Sequence, residues 1–328
     1  MAVRTSLPWS SQQKAVDEVF FSNEHVSLCL LINRRTRTMR VVDFRAGPSN
    51  AKRMFVMSLA QREGAEKVYT LVERDEVSTW VKLGFAKEGN IPGFYKRSDA
   101  FMLGAMVTGV TGVSGASHRP SALHSEMRLT ASAAAVDDAP LAPASPPEMS
   151  PAQERMERTI VLGKKHAKEL VDKPLPLAKV AVMREVDAKK AVNAMLKAGR
   201  AMTAFEPFGR DVQRTYHVVT ARGGFELVTS TESQACFGNS FLELLTAPRN
   251  DNERLATVSA LRVLCDRLLA EGVVSCFSLA PSDDVGLATA FAFNGFRRTG
   301  LLQGHLLIGG ERKDAIIFSR KLANPADD

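Results

Sequence analysis

The sequence is poor in cysteine, has no long apolar run and carries no block of like charge. Each shortage removes a class of protein. The four cysteines, Cys29, Cys236, Cys265 and Cys276, include no C-x-x-C pair and have no histidine cluster beside them. Neither a disulfide frame nor a metal site is expected, and the thiols read as buried and reduced. The longest weakly polar stretch, residues 100–116, is interrupted by glycine and threonine and is too short to span a bilayer. The opening MAVRTSLPWSSQQKAV lacks the apolar centre of a secretory signal. No membrane attachment and a cytoplasmic location are therefore expected. A formal net charge of +7 is mild for 328 residues, and the basic residues are scattered. A nucleic-acid groove is not expected, although the balance suits an acidic, nucleotide-like ligand.

What is present is a globular composition, 45% hydrophobic and 24% charged, long enough for two domains. Between about residues 114 and 150 the composition shifts to Ala, Pro and Ser without an apolar period (TASAAAVDDAPLAPASPPEMSP). Such a segment buries too little surface to offset its ordering entropy and is expected to be a disordered linker. It separates an N-terminal segment (1–25) and a first unit (26–113) from a connector helix (151–177) and a second unit (178–328).

Both units alternate strand and helix. HVSLCLLINRRTRTMRVVDF predicts two strands about an NRRTR turn, then a helix capped by Ser49 or Asn50 and ended by Gly64. KVYTLVE predicts a strand, RDEVSTWVKLGF a helix ending at Gly84, and AKEGNIPGFYKRSDAFMLGAMV two strands about a Pro-Gly turn. In the second unit EVDAKKAVNAMLKAGRAM predicts a helix and RTYHVVTA-RGG-FELVTSTE a hairpin. CFGNSFLELLTAP predicts a long strand. APRNDNERLATVSALRVLCDRLL begins as a loop and becomes a helix, with Leu261, Leu264 or Cys265, and Leu268 on one face. VVSCFSLAP predicts a strand, DVGLATAFAFNGF a helix ending at Gly295, and further strands close the chain. WVKLGFAKEGNIPGFYKRSDAFML and FAFNGFRRTGLLQGHLLIGGERKDAIIF share a pattern, which suggests an internal repeat.

The segments IPGFYKRSDAFMLG (91–104), FEPFG (205–209), ELLTAP (243–248) followed by LAT (255–257), and VGLATAFAFNGF through IFSRKL carry a family resemblance. The chain resembles the GCN5-related N-acetyltransferases (GNAT), and within them the β-lysine N-acetyltransferases, over about residues 26–107 and 186–322. The resemblance implies an α/β fold with a mixed, mostly antiparallel sheet flanked by helices, preceded by a truncated GNAT-like repeat. It also implies acetyl-CoA as co-substrate, no metal, and a primary amine of a small molecule or a lysine-like group as acceptor. Leu244, Leu245 and Thr246 would form the backbone rail for the pantetheine arm. Arg249, Asn250, Asn252, Arg254, Leu255, Ala256 and Thr257 would form the pyrophosphate loop and the helix it opens. Glu243 would be the base that takes the ammonium proton, with Glu206 a substrate-side alternative. Phe291 stands where many relatives have a tyrosine that protonates the thiolate.

The loop departs from the family's R/Q-x-x-G-x-G/A pattern. Asn252 stands at its first glycine and Arg254 at its second. Asp251 and Glu253 bring like charge toward a phosphate, which Arg249 and Arg254 could offset. The same residues also read as an ordinary N-cap, with acids in the first turn of a helix. Two functions follow. One is an acyl-CoA-dependent N-acetyltransferase. The other is a pseudo-acetyltransferase that binds a protein or ligand without transfer, with a protein partner reached through the N-terminal repeat or the linker. Phe291, His217 and His305 read more simply as core residues, and Glu243 as an exposed strand-end carboxylate.

Overall fold

The computed structural model describes residues 16–24, 26–44, 47, 49–95, 98–107, 149–202, 213–222, 224–233, 238–248 and 250–323. Nearly all of the expected linker, together with Glu206, Arg249 and Cys236, lies outside the described residues.

The chain opens with a meander of β1 (Val16–Ser22), β2 (Ser27–Asn33) and β3 (Thr38–Asp43). α1 (Asn50–Arg62) then leads to β4 (Lys67–Val72), which runs parallel to β3. The helix starts at Ser49, whose Oγ accepts from the Lys52 N–H at 3.4 Å, and stops before Gly64 at φ 70°. α2 (Val77–Lys82) ends before Gly84 at φ 82°, and the antiparallel pair β5 (Ala86–Tyr95) and β6 (Ser98–Met106) follows.

α3 (Pro151–Glu169), β7 (Ala178–Met183) and α4 (Glu185–Lys197) begin the second half. β8 (Gln213–Ala221), β9 (Phe225–Ser233) and β10 (Asn239–Leu244) form its meander. α5 (Asp251–Ala270) crosses to β11 (Ser275–Pro281), parallel to β10. α6 (Val285–Phe293), β12 (Arg297–Ile308) and β13 (Glu311–Lys321) complete the chain. Among the described residues, no helix is long and apolar enough to cross a membrane.

All thirteen strands join one sheet in the order β1-β2-β3-β4-β6-β5-β12-β13-β11-β10-β9-β8-β7. Only β3 with β4 and β10 with β11 are parallel neighbours, so the sheet is mixed and mostly antiparallel. The order β3-β4-β6-β5 meets its reverse, β12-β13-β11-β10, at the β5–β12 junction. The contact there is very close. A Cβ on Gly89 would lie 2.7 Å from the Gly300 Cα, and one on Gly300 would lie 2.6 Å from the Gly89 Cα. Glycine is required at both positions because any side chain would push the strands apart.

The two larger cores lie where helices pack on this sheet. One gathers Val56, Leu59, Trp80 and Phe85 with β2, β3 and β4; the other gathers Met156, Ile160, Leu261, Leu264, Leu268 and Phe291. Each fully buried aliphatic or aromatic side chain contributes about 1.5–3 kcal/mol. α3 lies against α6 so closely that a Cβ on Gly163 would sit 2.9 Å from the Ala288 Cβ. A third cluster has no helical member. It joins Ile91, Met102, Phe241, Phe277, Leu302 and Ile317, with Phe241 stacked on Phe277 at 4.9 Å. Here the sheet curls, so that β5 touches β10 and β11 across the helix-free face.

Three expectations are corrected. Pro92-Gly93 is not a turn, because β5 runs through it on a bulge. The Gly93 N–H donates to Asp99 Oδ1 at 2.9 Å, and the Asn90 side-chain amide donates to Asp99 Oδ2 at 3.1 Å. A bulge is one of the few places a sheet tolerates proline. The strand before α5 is shorter than expected, Asn239–Leu244. β1 and β7 were not anticipated; both are the outermost strands and owe their form to one neighbour each.

Candidate functional site

β10 lies between β9 and β11, and it leaves β11 early. Their register ends at Phe241 opposite Phe277, whereas β11 continues to Pro281 beside β13. Leu242, Glu243 and Leu244 keep only their β9 partners. Beyond them, residues 200–202 lie antiparallel to residues 245–247. The Met202 N–H donates to the Leu245 carbonyl at 3.0 Å, and the Ala247 N–H to the Arg200 carbonyl at 3.1 Å. The Leu245 N–H donates to the Val228 carbonyl at 3.0 Å, and Thr246 Oγ1 accepts from the Val228 N–H at 3.2 Å. Leu244, Leu245 and Thr246 are therefore fully buried, and both backbone groups of Leu245 are engaged within the fold.

Glu243 sits at this parting and is buried rather than exposed. Its Oε2 accepts from Arg214 of β8 and from Ser230 Oγ at 3.0 Å. Arg214 also donates to Ser230 Oγ at 3.0 and 3.1 Å and lies 3.4 Å from Glu232 Oε1. Three neighbouring strands thus place Arg214, Ser230, Glu232 and Glu243 on one face, as alternation and cross-strand pairing require. Arg214 and Glu232 were not singled out from the sequence. The signal was there only in pairing, since Arg214 faces Glu232 and Ser230 faces Glu243 across the ladder.

The same face carries a cavity of about 90 Å³. Phe241, Glu243, Leu279 and His305 line one side, and Leu31, Thr38, Arg40 and Tyr69 line the other. Glu243 faces this cavity, so one wall of its surroundings comes from residues about two hundred positions earlier. His305 is buried, and that burial pushes its pKa down to about 3, helped by the charges of Lys67 and Arg312. It is a neutral imidazole near pH 7, in edge contact with Tyr69 at 4.8 Å.

The N-terminus of α5 forms an ordinary cap. Asn250 has an extended backbone, and its Oδ1 accepts from the Glu253 N–H at 2.9 Å. The Arg254 N–H bonds back to the Asn250 carbonyl at 2.9 Å. Asp251 and Asn252 are exposed, and Asp251 pairs with Arg254 at 3.0 Å. Glu253 turns inward and lies 3.6 Å from Arg200. Arg254 lies across α6, where a Cβ on Gly286 would come within 2.7 Å of its Cδ. Leu255 is half-buried, and Ala256 and Thr257 face the core. Phe291 lies in the core, stacked on Phe318 at 4.7 Å with Phe296 at its edge, 5.1 Å away. It does not reach the cavity lining. Among the described residues, no group of three or more His, Cys, Asp or Glu side chains could hold a metal.

No protein-family model matches the chain, and no curated protein matches it. Solved structures give partial likenesses. The ribosomal-protein-S18-alanine N-acetyltransferase from Escherichia coli is 15% identical with a TM-score of 0.35, over 46% of this chain and 98% of that one. The spermidine N-acetyltransferase from Vibrio cholerae in complex with CoA and spermine is 10% identical with a TM-score of 0.36, over 44% of this chain and 95% of that one. Likenesses of this size assign neither a family nor an activity.

Proposed function

We propose that the chain is an acyl-CoA-dependent N-acetyltransferase acting on a primary amine, built from a truncated GNAT-like repeat and a full GNAT unit. The observation that carries this reading is the parting of β10 from β11 after Phe241, with Glu243 at the parting and facing a cavity. Acetyl-CoA as co-substrate would supply an activated thioester. Glu243 would take a proton from the substrate ammonium, through Oε1 or a water, while Arg214 and Ser230 hold Oε2 in place. The freed amine attacks the thioester carbonyl, the C–S bond breaks and the CoA thiolate leaves. Phe291 cannot protonate that thiolate, so water takes that part. The N–H groups of Asp251 and Asn252 and the positive end of α5 are what remains to meet the pyrophosphate.

The first turn of α5 favours a second reading, a pseudo-acetyltransferase that binds a ligand or protein without transfer. Asn250 already satisfies the Glu253 N–H, and two carboxylates stand where an anion would approach. Calorimetric titration of the full chain with acetyl-CoA separates the two. Micromolar binding supports the transferase. No heat at saturating millimolar acetyl-CoA sinks it and leaves the binding module.

A further inference from the structure

We infer that β7 is an assembly edge, where a second copy of this chain adds its own β7 to form a two-fold dimer with one continuous sheet. This concerns how the chain assembles and does not depend on the transferase reading. The sheet has two ends, β1 and β7, and they differ. An edge strand presents unpaired N–H and C=O groups, and proteins that stay monomeric guard such edges with charges, proline or bulges. β1 is guarded, because Asp17 and Glu18 are adjacent and exposed on it. β7 reads AKVAVM, pairs with β8 over its whole length without a bulge, and carries Lys179 as its only charge. Among the described residues, no backbone group bonds to its outer side.

The side chains along that edge are apolar and open to solvent. Leu177 is 87% exposed, Val182 60% and Val186 59%. Leu177 is the most exposed large hydrophobic among the described residues. Exposed apolar groups gathered in one place mark an interaction surface. Register and charge select the occupant. A two-fold interface uses the same patch on both copies. With the axis through Ala181, Val180 lies opposite Val182 of the second copy, and Lys179 lies opposite Met183 of the second copy. Ala181 meets its own copy on the axis. No like charges face each other. Lys179 then stands diagonal to Glu185 of the second copy, within reach of a long side chain. Glu185 is exposed at the start of α4, where it pairs with the exposed Lys189. The helices permit this approach. Ala178 and Val180 pack toward the core beneath α3 and α5, and Met183 packs toward α4, so helices back both faces of β7 and leave its edge open. An edge that matches itself in shape and charge favours a second copy over a charged peptide of another protein.

Sedimentation velocity of the full chain tests this. A six-residue strand with a few flanking apolar groups makes a small interface, so a monomer–dimer equilibrium is expected between about 1 and 100 µM. Val182→Lys places a charge on the edge, as guarded edges do, and should weaken association about tenfold or more. Lys179→Glu should also weaken it, and Lys179→Glu combined with Glu185→Lys should restore it. Met54→Lys, at an equally exposed position on α1, should leave it unchanged. All four positions are exposed, and circular dichroism checks that each variant folds. A monomer throughout the range overturns the inference. So does a dimer that a folded Val182→Lys protein keeps at wild-type strength, because assembly would then use another surface.

Discussion

Glu243 and His305 are two buried ionisable side chains that line one cavity, and their surroundings treat them differently. Arg214 pairs with Glu243, whereas burial and the nearby charges of Lys67 and Arg312 keep His305 neutral. If Glu243 takes the ammonium proton, Glu243→Gln should slow acetyl transfer roughly 10²-fold or more while acetyl-CoA affinity stays near wild type. A near-normal rate in a coupled thiol-release assay would move the role elsewhere. His305 also makes a prediction about stability. Its pKa falls from 6.5 in the unfolded chain to about 3 in the fold. The unfolded state therefore binds the extra proton, and stability falls as pH drops below 6.5. For one such proton the slope is about 1.4 kcal/mol per pH unit, or about 2 kcal/mol between pH 6.5 and 5. His217, pushed down to about 4 by burial, acts in the same direction. Urea midpoints at pH 7 and pH 5 should therefore converge in His305→Gln relative to wild type. An unchanged pH dependence would show that His305 does not carry that proton. Glu243 entered the reading of the sequence only through a resemblance, and its burial beside Arg214 and Ser230 could not be read there, because it comes from strands that meet only in the folded sheet.

Among the elements, α5 and the β5–β12 junction show where local sequence suffices and where it does not. The cap at Asn250, the acids after it and the buried face of Leu261, Leu264, Cys265 and Leu268 are all local, and the sequence pattern for α5 is matched closely. Asn250→Ala should lower stability by about 1 kcal/mol, read as a shift in the urea midpoint at constant slope. An unaltered midpoint would mean that the loop residues were held by something other than the cap. β5 was misread because Pro92-Gly93 is locally a turn signal. The strand continues on its ladder to β6, and Asp99 on that strand ties down both Asn90 and Gly93. The Gly89–Gly300 contact could not be read at all, since two isolated glycines 211 positions apart carry no mutual signal. Gly300→Ala, with a Cβ 2.6 Å from the Gly89 Cα and 2.7 Å from the Glu88 carbonyl, should cost about 1–3 kcal/mol. An unchanged urea midpoint in Gly300→Ala would show that the two strands have room for a side chain.

At the scale of the whole molecule, the cavity exists because the two halves share a sheet, and buried charges fasten that sheet beside the junction. Lys67 of β4 is fully buried, pairs with Glu88 of β5 and donates to the Gln303 carbonyl of β12 at 2.8 Å. Burial pulls the Lys67 pKa down and pushes Glu88 up, and the opposite charge of each limits the other's shift. Nearby, Arg312 of β13 donates to Glu66 at 2.7 Å and to the Thr36 carbonyl at 2.5 Å, so the second half grips the first at two places. A pair this deep contributes little net energy when intact, because desolvation offsets attraction, but removing one partner leaves a charge stranded. Lys67→Met should therefore lower stability by about 3–5 kcal/mol. The double variant Lys67→Met with Glu88→Leu should recover much of that loss, because no buried charge is left without its partner. Urea unfolding followed by circular dichroism measures both effects. A loss below about 1 kcal/mol in the single variant, or no recovery in the double, would show that the pair is incidental to how the halves are held.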